Sequence, residues 1–297
     1  MKRRDFIRNT VIAGTGILLS ADALASLLNL NPNNIKMLRK NVGIFTERGG
    51  TIGFIQSSTG FSVIDSQFPD TSQHLIDQLK SRATLPFKYL LNTHHHGDHT
   101  GGNISFKGLV ENVIGHKNCL ENHKRTAEKA NSTEKQLFAD IVFDDDLKLK
   151  LDDEKIKAYY FGAGHTNGDA IYHFEDANIM HVGDLMFNKR HPFVDRSAGA
   201  NMKNWTKVLD SIYKKADSDT IIIFGHSRIP GEETGNREDL MKFKDYLEKV
   251  LAFAETSVKK GLSKEEFIKN TSIPGVTEWS GQGIERPLTA AYEEVSG

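Results

Sequence analysis

The chain contains a single cysteine, Cys119, in 297 residues. One thiol excludes an internal disulfide, so stability must come from the core alone. Cys119 itself reads as a small buried apolar residue rather than a ligand or nucleophile. Charge of one sign is also lacking: 38 Lys and Arg stand against 39 Asp and Glu, a formal net charge of -1. That balance provides no broad positive field for holding nucleic acid by its phosphates. No apolar run reaches the roughly 18–20 residues that a membrane span needs. Repeats and low-complexity segments are missing as well. What is present is a hydrophobic fraction of 38%, enough for one large domain with a substantial core.

The first 25 residues stand apart. Lys2, Arg3, Arg4 and Arg8 open the chain, a modestly apolar stretch runs from Thr10 to Leu19, and Ala23-Leu24-Ala25 offers a small-x-small cleavage site. This is the layout of a secretory signal. Arg3-Arg4-Asp5-Phe6-Ile7-Arg8 also resembles the twin-arginine address, and Gly14 and Gly16 keep the apolar stretch weak. The expectation is export to the periplasm or beyond, with the export machinery as partner and no membrane span in the mature form.

Residues 26–41 read as a linker or N-terminal arm, with turn chemistry at Asn31-Pro32-Asn33-Asn34. Strands are expected at 42–46, 51–57, 60–65 and 88–92, with a helix over 70–82 between the third and fourth. Further along, 132–141 reads as a helix, and 147–151, 156–161, 170–174 and 179–182 as strands. A helix over 205–216 and an apolar strand over 220–224 follow. Amphipathic helices over 238–260 and 263–270 form the expected C-terminal appendage, residues 237–297, which Phe253, Phe267, Trp279 and Tyr292 would anchor. The alternation suggests sheets covered by helices, in a main domain spanning 42–236.

Chemistry concentrates at His94-His95-His96-Gly97-Asp98-His99. Imidazoles and a carboxylate crowded this closely are costly unless something positive organises them, and both are zinc ligands. On a loop leaving a strand, His94 and His96 project to one side, while Asp98 and His99 turn toward a neighbouring point. Such a loop serves two adjacent metals. His95 points away and is not expected to be a ligand. Three later segments put a polar residue at a strand end: Gly164-His165, Gly183-Asp184 and Gly225-His226. His116, His123, His173, His181 and His191 read as surface, packing or pocket-wall residues, and Asp169 as part of a turn or a support behind the ligands.

The whole pattern resembles the metallo-β-lactamase fold superfamily, over roughly residues 42–227. That resemblance implies an αββα sandwich with the site along one edge of two sheets. It implies one metal held by His94, His96 and His165, a second held by Asp98, His99 and His226, and Asp184 bridging them beside a water or hydroxide. Two Zn2+ per chain are expected, with iron or manganese as alternatives for such nitrogen and oxygen donors. Asp98 would also orient the nucleophile. Asp65, at the end of a strand, would accept hydrogen bonds from the histidine loop, unless it is only a turn former.

One departure narrows the choice. Zinc β-lactamases generally carry cysteine or serine where Asp184 stands, and an aspartate there resembles the thioester, lactone and phosphodiester hydrolases. The expected reaction is therefore hydrolysis of an ester-like bond (ester, lactone, thioester or amide) in a small molecule. A mononuclear-iron persulfide dioxygenase and a zinc β-lactamase are the alternatives. Lys189, Arg190 and Arg196, on the stretch after Asp184, are candidates for pairing with an anionic substrate group.

Overall fold

A strand that is apolar at adjacent positions must be buried on both faces, because neighbouring side chains point opposite ways. That condition decides the layering. In β4 (Phe61–Ile64) and β5 (Phe87–Asn92), Val63 and Leu90 face one way, while Ile64 and Leu91 face the other. In β10 (Ile171–Phe174) and β11 (Ile179–His181), Tyr172 and Ile179 oppose Ile171 and Met180 in the same manner.

The computed structural model describes residues 34–152 and 154–297. Its first sheet runs in sequence order from β1 (Ile35–Arg39) through β2 (Val42–Phe45), β3 (Ile52–Gln56), β4, β5 and β6 (Val110–His116) to β7 (Ile141–Phe143). Neighbours are antiparallel up to β4 and parallel from there on. The second sheet has the order β15 (Thr234–Gly235), β13 (Ile221–Ile223), β11, β10, β9 (Glu154–Tyr159), β8 (Asp146–Leu151). A short parallel pair, β12 (Phe187–Asn188) with β14 (His226–Ser227), lies beside it in sequence.

Three apolar layers result. Val42, Ile44, Ile64 and Leu91 meet Tyr172, Phe174, Ile179 and Ile223 between the sheets. The outer face of the first sheet packs Phe54, Val63 and Leu90 on Leu75, Ile76 and Leu79 of α1 (Pro69–Arg82). The outer face of the second receives Trp205, Leu209 and Ile212 of α4 (Met202–Lys215), together with Phe243 and Leu247 of α5 (Arg237–Lys259). The architecture is thus the expected αββα sandwich. Each fully buried Leu or Ile contributes roughly 1.5–3 kcal/mol. Caps set the helix starts: Pro69 opens α1, and the Asn236 and Asp239 side chains close a capping box on α5.

Some expectations need correction. Of the expected arm over 26–41, residues 26–33 lie outside the described residues, and Ile35–Arg39 is a strand that pairs with β2 in the register Ile35↔Phe45. Ile35 and Leu38 reach the two apolar layers, which is why the segment joins the sheet. The expected helix over 132–141 is one 3-10 turn, Thr133–Lys135, followed by extended chain. Asp140 draws that chain onto β6, its amide donating to Val113 O and its carboxylate accepting from Val113 N. The helix expected over 263–270 shortens to Lys264–Phe267, here α6. The expected C-terminal helices are present, and Leu288, Ala290 and Ala291 of α7 (Glu285–Ser296) lie in the same apolar cluster as Trp205. The expected export signal, residues 1–25, lies outside the described residues. Among the described residues no helix is long and apolar enough to cross a membrane.

Candidate metal centre

The loop leaving β5 carries Thr93 to His96, then closes a single helical turn, α2 (Gly97–Thr100), with α3 (Lys117–Lys129) following β6. This turn swings Asp98 and His99 away from His94 and His96, so one short segment addresses two points. His165 comes from the loop after β9, Asp184 from the 3-10 turn after β11, and His226 from β14 after β13. The amides of this edge are tied together: Gly225 N donates to Gly183 O at 2.8 Å, and Thr51 N donates to Gly225 O at 2.8 Å, across the two sheets.

Three groups of ligand-type atoms result, each within 4.8 Å: His94, His96, His165 and Asp184 form the first, Asp98, His99 and His226 the second, and His95, His96 and Asp195 a third behind the first. In the first, His96 Nδ1 lies 3.0 Å from His94 Nε2 and 2.9 Å from His165 Nε2. In the second, His226 Nε2 lies 3.1 Å from Asp98 Oδ2 and 3.4 Å from His99 Nε2. Asp184 faces both. Its Oδ2 is 3.4 Å from His165 Nε2, and its Oδ1 is 3.1 Å from His99 Nε2.

The far side of each ring identifies which nitrogen has a free lone pair. His165 Nδ1 donates to Phe193 O at 2.8 Å, and His99 Nδ1 donates to Asp65 Oδ2 at 2.7 Å. His94 Nδ1 contacts Thr93 Oγ1, whose hydroxyl donates to the same Asp65 oxygen. His96 Nε2 donates to Asp195 Oδ2 at 2.9 Å. With these nitrogens protonated, the opposite ones converge as bare acceptors, and Asp184 Oδ1 is buried without a hydrogen-bond partner. Acceptors facing acceptors are unfavourable in an apolar pocket, and a cation removes the conflict. The donor set fits zinc.

Electrostatics agree with that arrangement. Burial pushes His94 well below the usual imidazole value and His165 down to about 4, so both are neutral. Burial would raise Asp184, but the imidazoles of His226 and His99 hold it well below the usual carboxylate range. Burial likewise opposes the charged form of His99, yet Asp184, Asp98 and Asp65 raise it well above its ordinary value. That negative charge holds a proton on His99 Nε2, and a cation bound at the same place would take the proton's position.

Asp65 is fully buried and does more than turn the chain: Thr93 N, Thr93 Oγ1 and His99 Nδ1 all donate to its carboxylate. Asp169 accepts from Thr166 N and Oγ1 and so shapes the turn that presents His165. Burial raises Asp169 to about 7. His95 is buried and turned away, its Nε2 3.7 Å from Asp195 Oδ2. His181 binds Thr51 O, His116 binds Asp144 O, His123 meets Gln136 and His191 meets the Tyr246 hydroxyl. Cys119 is buried, and burial pushes its thiol up.

A cleft of about 340 Å³ opens on Asp98, Asp184 and His226, with Phe187 and Phe193 as walls and Arg190 and Arg286 also lining it. Of the three candidates for an anionic substrate, only Arg190 is there. Lys189 pairs with Glu232 at 2.8 Å, and Arg196 with Glu294 and Ala200 O, each at 3.2 Å. Asp195 and Arg286 were not among the sequence candidates. Asp195 lies in the segment after Asp184, but its partner His96 is 99 residues away in the chain.

Gly225 shows how little room surrounds Asp184. A Cβ built there would lie 2.1 Å from Asp184 Oδ1 and 2.6 Å from Gly183 C. Gly225→Ala should therefore displace Asp184 and lower metal content at equal protein concentration. It should cost about 1–3 kcal/mol of stability in a denaturant titration. Full metal content in that variant would contradict the close approach.

Comparisons with known proteins agree on the family. The profile of the Metallo-beta-lactamase superfamily matches residues 45–226. "Metallo-beta-lactamase type 2" of Bacillus cereus is 26% identical over 226 residues, covering 72% of this chain and 82% of that protein. A hydroxyacylglutathione hydrolase of Maricaulis maris is 36% identical over 96 residues, 32% of each chain. Among solved structures, the stereoselective inverting sec-alkylsulfatase from Pseudomonas sp. superposes with a TM-score of 0.69 at 14% identity. That match covers 88% of this chain and 50% of the sulfatase, a likeness of fold.

Proposed function

The chain belongs to the metallo-beta-lactamase superfamily, a metal-dependent hydrolase by its relatives, and from that premise we propose that it cleaves an ester-like bond in a small molecule at a two-metal centre. The observation that carries the reading is Asp184, with one carboxylate oxygen toward each histidine group. His94, His96 and His165 would hold one ion and Asp98, His99 and His226 the other, with Asp184 placed to serve both. Two zinc ions bound there would acidify a shared water and polarise the oxygen of the bond under attack.

The chain's own residues supply the rest. Asp98, a third exposed at the cleft, accepts a hydrogen bond from the attacking water and so aims it. Its carboxyl stays ionised: burial works against this, but His99 and His226 hold it below the usual range. Phe187, stacked on His226 at 5.4 Å, and Phe193, 5.4 Å from the His96 ring, keep bulk water from the substrate side. Asp65 and Asp195 fix the His99 and His96 rings from behind.

A screen of chromogenic esters, lactones, thioesters, phosphodiesters and cephalosporins, with and without chelator, tests this. Turnover of an ester, lactone or thioester, abolished by chelator and restored by zinc, is the expected result. Preferred cleavage of a cephalosporin would make it a β-lactamase. Oxygen uptake with a persulfide and one bound iron would make it a dioxygenase. We extend the proposal to export through the twin-arginine route, on the strength of residues 3–25. Mass spectrometry of the exported protein should then find Ser26 at its N-terminus, and paired Arg3→Lys and Arg4→Lys changes should keep it inside the cell.

A further inference from the structure

The same cleft carries two guanidinium groups that nothing in the reaction above uses. Arg190 comes from the stretch after β12 and Arg286 from the first turn of α7, nearly a hundred residues later. Arg190 makes no hydrogen bond or ion pair with any described residue, whereas its neighbour Lys189 has an acidic partner. The carboxylate nearest Arg286 is the adjoining Glu285, at 3.9 Å, with both side chains more than half exposed. The two carboxylates that do line the cleft, Asp98 and Asp184, already face imidazoles.

Arg286 does not reach the cleft by chance of a loose tail. Trp279 Nε1 donates to Phe187 O at 2.8 Å, fixing the chain before α7 against the cleft wall. Gly281 and Gly283, at φ of +100° and +91°, then turn it through conformations that favour glycine. Leu288, Ala290 and Ala291 are buried against the core and hold α7 itself. Two rigidly based cations therefore flank one opening, with the exposed Phe193 ring, 42% accessible, between solvent and the reacting end.

We propose that Arg190 and Arg286 form an anion clamp, and that the substrate carries an oxyanion group set apart from its scissile bond by an apolar body. This rests on the hydrolase reading. Guanidinium groups bind carboxylate, sulfonate and phosphate oxygens through paired N–H donors, and phenylalanine walls favour an apolar segment beside them.

Two measurements on the metal-loaded full chain test the clamp. In the first, benzenesulfonate and its uncharged counterpart methyl phenyl sulfone are titrated by calorimetry. Benzenesulfonate should bind, and Arg190→Gln or Arg286→Gln should weaken it about ten- to a hundredfold, as loss of a charged hydrogen bond does. Arg190→Lys should recover part of the loss, and Lys189→Gln, which removes an equal charge outside the cleft, should not weaken binding. In the second, the 4-nitrophenyl monoester of glutaric acid is compared with its methyl-capped diester. The wild-type preference for the charged ester, expressed as a ratio of kcat/KM values, should fall by a similar factor in both Gln variants, mainly through KM. Equal benzenesulfonate affinity in wild type and variants, or an unchanged ester ratio, overturns the clamp. Arginine-dependent benzenesulfonate binding without turnover of either ester supports the clamp and counts against the hydrolase.

Discussion

Asp184→Ala should strip the protein of most of its metal and reduce hydrolysis to about a thousandth of the wild-type rate or less. The size of the effect follows from where the side chain stands. Its two oxygens face both ligand groups, Oδ1 toward His99 and His226, Oδ2 toward His94 and His165. Truncation removes one ligand from each ion at once, together with the negative charge that offsets their repulsion. Asp184→Asn is the sharper comparison, because it keeps the volume and loses the charge. Metal per chain, read by elemental analysis, should approach two in the wild type and fall well below one in both variants. Retention of two ions with a rate within tenfold of wild type would remove the bridging role.

The second large effect is expected at Asp65. Replacing it with alanine leaves Thr93 N, the Thr93 hydroxyl and His99 Nδ1 buried without an acceptor. Breaking a buried pair by deleting one partner costs about 3–5 kcal/mol. The backbone adds to this, since residue 65 has a φ of +64°, a region Asp and Asn tolerate better than Ala. Asp65→Asn should therefore be nearer wild type in stability, yet lower metal affinity about 10–100-fold by weakening its hold on His99. Denaturant midpoints taken in chelator isolate the first effect, and metal titration isolates the second. A change below about 1 kcal/mol for the alanine variant would reduce Asp65 to a turn former.

The chain order of the site was legible because each candidate is local to a strand end. Spacing alone put His94 and His96 on one side of a loop and Asp98 and His99 on the other, and α2 is the turn that does it. Asp195 and Arg286 were not legible, since each reaches the site from far away in sequence and neither sits in a distinctive motif. Among Lys189, Arg190 and Arg196, composition could not choose; the choice depends on which acids lie nearby, and Glu232 and Glu294 capture two of them. The sheet pattern was clear where adjacent apolar residues fill two layers, as in β4 and β11. It failed over residues 132–141, where Leu137 and Ala139 suggest a helix but contacts with β6 draw the chain out straight. Local preference there yields to tertiary contact.

The division of the ligands between two sheets has a consequence for folding. The loop after β5 of the first sheet supplies His94, His96, Asp98 and His99, while the segments that follow β9, β11 and β13 of the second supply His165, Asp184 and His226. Neither sheet alone offers three well-placed ligands to either ion, and the closing contacts span up to 128 positions of chain, as from Asp98 to His226. Such distant pairings form late, after the loop-closure cost has been met. Tight metal binding would thus be a property of the docked sandwich and not of its parts. Free metal at about a hundred times its dissociation constant would then add roughly 2.7 kcal/mol to the folded state. Metal uptake during refolding should consequently report the moment the two sheets meet.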